Sequence, residues 1–136
     1  MNNLFRIAEE LGIHVEYCRL PLNGSVSTYD EDGDFILMDY SLIQDGGQER
    51  VHMAHELGHC ITGSFYNVYT PYDVRAKHEY RADKWAVHEL IPFEIFQRAI
   101  KAGNTEIWQL AEYFDVTEDF IRRTEYVYQC EGKLFE

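Results

Sequence analysis

The chain is predicted to be an α+β domain, and three observations carry that expectation. Apolar residues recur at helical spacing near the N-terminus, alternate at strand spacing between residues 13 and 38, and return to helical spacing from residue 48 onward. The 136 residues suffice for one hydrophobic core, and a content of 46% hydrophobic and 15% aromatic residues excludes a disordered chain.

Taking the elements in order, Leu4, Ile7, Ala8 and Leu11 share one helix face and Gly12 stops it, giving a helix over residues 3–11. Residues 13–18 alternate Ile, Val and Tyr with His, Glu and Cys, as a half-buried strand does. Pro21 and Asn23-Gly24 break the chain, and residues 25–29 and 35–38 form two further strands around an acidic turn containing Gly33. The expectation is a small antiparallel three-stranded sheet. Helices follow over residues 48–63 and 73–91, the second stopped by Pro92, which opens a short helix ending near Gly103. Asn104 or Thr105 caps a helix to Phe114, Asp115-Val116 turns the chain, and Thr117 caps a last helix to about Gln129. Residues 1–103 are expected to form the chemical domain, and residues 104–136 a helix-turn-helix-like extension packed on the same globule.

The formal net charge is −12, and no basic patch interrupts it, which argues against a nucleic-acid partner. The tail reads as a helix-turn-helix, but residues 104–127 hold six acidic side chains against Arg122 and Arg123, where a DNA reader needs a basic recognition helix. The expectation is therefore no direct nucleic-acid binding. MNNLFRIAEE has no basic segment leading into an apolar run, and no stretch approaches the roughly 18 apolar residues of a membrane span. A cytoplasmic protein without a membrane partner is expected. Cys18, Cys60 and Cys130 are odd in number and widely spaced, fitting reduced thiols.

His55-Glu56-Leu57-Gly58-His59 is an HExxH motif on a predicted helix. With Val51 at zero, His55, His59 and Glu56 fall at roughly 40°, 80° and 140° around that helix, while Met53, Ala54, Leu57, Cys60 and Ile61 fall between about 180° and 300°. Both imidazoles can then reach one ion, Glu56 projects toward the position of a water, and a separate apolar face remains to be buried. Thr62 and Phe65 stand where a metzincin would carry Gly and His, so the third ligand lies elsewhere. Glu79 and Asp83 supply the missing carboxylates, four residues apart on the next helix. Glu79 is the expected third ligand, and Asp83 the partner that hydrogen-bonds the outer nitrogen of a ligand histidine. Three protein ligands and an open position describe a catalytic zinc site, with Glu56 as general base.

The HELGH run, followed by Glu79-Tyr-Arg-Ala-Asp-Lys-Trp-Ala-Val-His-Glu-Leu-Ile-Pro92, resembles the ImmA/IrrE family of metallopeptidases over about residues 48–92. Trp85 stands where Phe is commoner and Ile91 where Met is usual, both changes in the core. The resemblance implies a zinc peptidase of the kind encoded beside a helix-turn-helix repressor in phage, mobile-element or stress-response loci, which cleaves that repressor. A zinc-dependent endopeptidase acting on a protein substrate, such as a helix-turn-helix repressor, is therefore the expected function. The alternative is a non-catalytic metal-containing module that acts by binding a transcription factor.

Peptide hydrolysis also needs a donor to the developing oxyanion, and His52, Tyr66, Tyr72, Arg75, His78 and Tyr80 are the candidates. His52 shares the metal face but stands one turn before His55, a position suited to the rim of the site rather than to a ligand. Cys60 points to the apolar side and is expected to be a buried thiol.

Overall fold

The computed structural model describes residues 2–21, 23–67 and 69–133. The elements are α1 (Asn2–Glu10), β1 (His14–Tyr17), β2 (Ser25–Asp30), β3 (Gly33–Met38), α2 (Gly46–Thr62), α3 (Tyr72–Leu90), α4 (Phe93–Lys101), α5 (Ile107–Phe114) and α6 (Glu118–Cys130). The fold is α+β, as the change of periodicity along the chain requires. The last three residues of the expected extension, 134–136, lie outside the described residues.

The sheet is mixed, correcting the antiparallel expectation. Its order is β1-β3-β2. β2 pairs antiparallel with β3 through the short turn between Asp30 and Gly33, whereas β1 runs parallel to β3 with His14 opposite Phe35. Side-chain alternation records which face of a strand is buried, not which neighbour it pairs with. The partner is settled by residues 18–21 and 23–24, which lie between one side of β3 and the other. Asp39 holds that crossing: its carboxylate accepts the Leu20 N–H at 2.8 Å, and its own N–H donates to the Gly24 carbonyl at 2.8 Å. The consequence for function is that β2 becomes an edge strand lying over α2.

Helix boundaries follow their caps. α2 begins two residues before the expected Gln48, because Asp45 accepts the Gln48 N–H at 2.8 Å and covers the glycine pair that opens the helix. α5 begins after Glu106 instead of after Asn104 or Thr105. Gln109 Oε1 accepts the N–H groups of both Thr105 and Glu106 at 3.0 Å, while Asn104 turns back to donate to the Ala99 carbonyl. Asp115, in the left-handed region at φ 54°, ends α5, and the Thr117 hydroxyl caps α6 by accepting the Phe120 N–H at 3.1 Å.

Leu4 of α1, Met38 of β3, Leu57 of α2, Val87 of α3, Phe96 of α4, Leu110 of α5 and Ile121 of α6 belong to one buried cluster. Tyr128 is fully buried within it and donates its hydroxyl to the Ile91 carbonyl at 2.6 Å. Burial, helped by the nearby Glu131 and Glu94, holds the Tyr128 phenol far above its usual pKa and so keeps it a donor. Among the described residues no helix is long and apolar enough to cross a membrane.

One contact sets the geometry of the chemistry. A Cβ at Gly58 would stand 2.5 Å from the Ala82 carbonyl oxygen and 2.9 Å from its Cα, so α2 and α3 touch backbone to backbone. Only glycine opposite alanine permits that approach, and it brings the His55–His59 face within reach of Glu79 and Asp83.

Candidate metal centre

His55 and His59 project from consecutive turns of α2, and Glu79 faces them from α3. One nitrogen or oxygen of each converges so that the three lie within 4.8 Å of one another, a group that could hold a metal ion. Glu79 spans both imidazoles, with Oε2 2.8 Å from His55 Nε2 and Oε1 3.1 Å from His59 Nε2. The two Nε2 atoms are 3.2 Å apart.

The outer nitrogens are already engaged. His55 Nδ1–H donates to Asp83 Oδ1 at 2.8 Å, and His59 Nδ1–H donates to the Ser64 carbonyl at 2.8 Å. Once His55 gives up its Nε2 proton, both Nε2 atoms would present lone pairs to the same point, which suits a cation. Separations of 2.8–3.2 Å among the donor atoms compare with the edge of about 3.3 Å of a tetrahedron with metal–nitrogen bonds of roughly 2.0–2.1 Å. Donor type, tautomer and spacing all fit a divalent metal of the zinc class.

Electrostatics point the same way. Burial opposes a charge on His55, but the carboxylates of Asp83 and Glu79 outweigh it and raise the imidazole to about 10 in the absence of a metal. Glu79 pays a burial penalty that the two histidines and Tyr66 more than reverse, so it stays ionised well below the usual carboxylate range. The site thus attracts positive charge, whether proton or metal.

Glu56 is buried beside this centre and is not one of the converging donors. Its Oε2 accepts the Ser25 hydroxyl at 2.7 Å, and the same Ser25 oxygen lies 2.7 Å from His52 Nδ1. All of these face a cleft of about 780 Å³. Ser25, Val26 and Ser27 of the edge strand form one wall, Phe65 and Tyr66 another, and Thr117, the cap of α6, with Asp119, Phe120 and Arg123 of that helix a third. The helix that would read DNA in a helix-turn-helix protein instead turns that end toward the metal centre.

The oxyanion candidates separate by position. Tyr66 and His52 line the main cleft, while Tyr72, Arg75 and Tyr80 line a second cleft, of about 540 Å³, that shares Tyr66, Glu79 and Arg123 with the first. Tyr66 hydrogen-bonds Glu79, and burial followed by that carboxylate pushes its phenol up to about 12. His78 stacks on the Tyr66 ring with centroids 6.4 Å apart, and Arg75 lies over the same ring at 5.8 Å. Cys60 is half-buried against the core, and burial, followed by the charges of Asp34 and Glu56, pushes its thiol up to about 12, so it is a poor ligand and a poor nucleophile.

Two residues at the site escaped sequence reading. Ser25 opens β2, and nothing in the linear chain ties position 25 to position 56. Arg123 stands in both clefts, with Nη1 3.4 Å from Asp83 Oδ1. Its signal was available, as one of two cations in the acidic stretch 104–127, but only the fold reveals that it faces inward.

Comparison with known proteins agrees with this architecture. A solved Mycobacterium tuberculosis transcriptional regulator is similar, with a TM-score of 0.64 and 19% identity over 88% of this chain and 38% of that one. The chain thus spans well under half of that protein, and the likeness is one of fold. No curated protein matches the chain. A family model described as the IrrE N-terminal-like domain, Peptidase_M78, matches residues 8–124, running through both the metal-site helices and the helix-turn-helix-like tail, and the chain belongs to that peptidase family.

Proposed function

We propose that this protein is a zinc-dependent endopeptidase whose ligands are His55, His59 and Glu79, whose general base is Glu56, and whose Asp83 fixes the orientation of His55. The observation that carries the reading is the convergence of two Nε2 atoms and one carboxylate beside a buried glutamate, at the floor of an open cleft. A divalent ion held by these residues would supply Lewis acidity toward a water and the scissile carbonyl. Glu56 accepts the water's proton and returns it to the leaving amine. The Tyr66 hydroxyl, which lines the cleft and is kept protonated by its high pKa, is read as a donor to the developing oxyanion. Asp83 and the Ser64 carbonyl hold the two imidazoles in the tautomer that faces the centre.

The substrate is read as a protein. The β2 edge borders the cleft and leaves main-chain groups able to pair with an extended peptide. A helix-turn-helix repressor is the proposed target, supported by the ImmA/IrrE resemblance and by the similarity in fold to a transcriptional regulator. Residues 104–136 are read as an extension that braces the metal-site helices instead of binding DNA, since Phe120, Ile121 and Val127 of α6 are buried in the common core. A cytoplasmic location follows from a target of this kind. A second reading, a metal-containing module that regulates by binding a transcription factor without cutting it, is favoured by the same structural likeness.

Elemental analysis and cleavage separate the two readings. Wild type is expected to carry about one zinc per chain, lost in His59→Ala and Glu79→Ala, and to cut its repressor. Glu56→Gln is expected to keep the zinc and lose cleavage. Full relief of repression by Glu56→Gln would instead establish the binding module, and a folded wild-type chain that takes up no zinc would overturn both.

A further inference from the structure

Glu56 is held by two residues that the ligand set does not include. Its Oε2 accepts the Ser25 hydroxyl at 2.7 Å, and the Ser25 oxygen lies 2.7 Å from His52 Nδ1. Ser25 and Glu56 are both buried, and His52 stands one turn before Glu56 on α2. The first residue of the edge strand therefore sits across successive turns of the metal helix. We propose that His52 and Ser25 form a directed hydrogen-bond chain, His52 Nδ1–H to Ser25 Oγ–H to Glu56 Oε2, which positions the base; the proposal rests on the peptidase reading for the word base, and on geometry alone for the chain.

Proton counting sets the direction. Ser25 has a single hydroxyl proton, and it is donated to Glu56 Oε2 at 2.7 Å. The Ser25 oxygen then offers only lone pairs to His52, and His52 must carry its hydrogen on Nδ1. Two features hold the imidazole in that role. A Cβ at Gly24 would stand 3.0 Å from both Cε1 and Nε2 of His52, so the ring packs against bare backbone, and that backbone is pinned by the bond from the Asp39 N–H to the Gly24 carbonyl. Burial, aided by the positive surroundings of His55 and Arg123 and opposed by Glu56, lowers the His52 pKa and so favours the neutral ring.

For the chemistry, the result is a carboxylate with one oxygen tied and the other available. Among the described residues Oε1 of Glu56 accepts no hydrogen bond. Ser25 and His52 thus act as positioning residues, fixing which oxygen receives the proton.

The test uses the full chain loaded with zinc and labelled with 15N-histidine, read by long-range proton–nitrogen spectra at pH 7. His52, identified by the signal missing from His52→Asn, is expected as the Nδ1–H tautomer, and Ser25→Ala is expected to release it to the Nε2–H form. In parallel, with labelled casein as the probe, Ser25→Ala is expected to lower kcat roughly 10-fold at unchanged KM and zinc content, short of the ~10²–10⁴-fold expected for loss of the base itself. His52→Asn, whose amide N–H can replace Nδ1–H, should retain more of kcat than His52→Leu. An Nε2–H tautomer in wild type, a tautomer indifferent to Ser25→Ala, or equal losses in His52→Asn and His52→Leu would each overturn the proposal. A Ser25-dependent Nδ1–H tautomer in a chain that never turns over casein would uphold the chain and count against the peptidase reading.

Discussion

Asp83 and His55, on different helices, are joined by a 2.8 Å bond from His55 Nδ1–H to Asp83 Oδ1, and Arg123 of α6 reaches the same oxygen at 3.4 Å. This short chain links the tail of the protein to a histidine of the candidate metal centre. Removing the carboxylate with Asp83→Ala frees the imidazole to rotate and to change tautomer. Metal affinity is expected to fall about 10–100-fold, measured by competition with a chromophoric chelator, while Asp83→Asn, which keeps an acceptor oxygen, falls between the two. An unchanged affinity in Asp83→Ala would remove Asp83 from the site.

Gly58→Ala tests the helix contact on which the centre depends. In an exposed helix this change stabilises by about 1 kcal/mol through propensity. Here the new Cβ meets the Ala82 backbone at 2.5 Å, and backbone cannot swing aside. The expected outcome is a net loss of about 1–3 kcal/mol in chemical denaturation, together with weaker metal binding as Glu79 is pushed from His55 and His59. A stabilised variant would mean that α2 and α3 do not pack as described.

The convergence of His55, His59 and Glu79 was legible in the sequence because each of its parts is local. HExxH places two imidazoles one turn apart on a single helix, and Glu79 and Asp83 repeat that spacing on the next, so helical periodicity alone aligns both pairs. Helix positions were legible for the same reason, whereas exact starts depended on side chains such as Gln109 choosing between neighbouring N–H groups. The direction of β1 and the role of Ser25 were not legible. Both depend on how residues 18–21 and 23–24 pass β3, and that crossing is fixed by Asp39, a residue with no periodic signature. The helix-turn-helix pattern of the tail was visible, as was its unsuitable charge. That its last helix lines the metal cleft through Phe120 and Arg123 is a property of packing that no local pattern encodes.

Tyr66→Phe removes one hydroxyl and little else. That hydroxyl bonds Glu79, and its pKa of about 12 means that it remains a donor at neutral pH. If it also stabilises the oxyanion, kcat on labelled casein falls about 10²–10³-fold with KM and zinc content nearly unchanged. Loss of zinc instead of kcat would assign Tyr66 to holding Glu79.

Asp39 gives the fold a pH dependence with a definite sign. Its carboxylate accepts the Ser41 hydroxyl at 2.5 Å, the Leu20 N–H at 2.8 Å and the Ser41 N–H at 2.9 Å. These bonds, the Ser41 hydroxyl foremost, outweigh burial and lower its pKa below 3.8. A group whose folded pKa is depressed contributes stability that is fully present above the unfolded value and is lost as pH falls through the folded one. The wild-type chain is therefore expected to lose stability progressively below about pH 4. Asp39→Asn, which cannot ionise, should be less stable than wild type at pH 7 and should approach it as the pH is lowered toward 2. Urea denaturation of both chains at pH 7, 5, 4 and 3 measures the gap. A gap that stays constant or widens on acidification would mean that the Asp39 charge does not hold the crossing between β1 and β2, and with it the edge strand that lines the cleft.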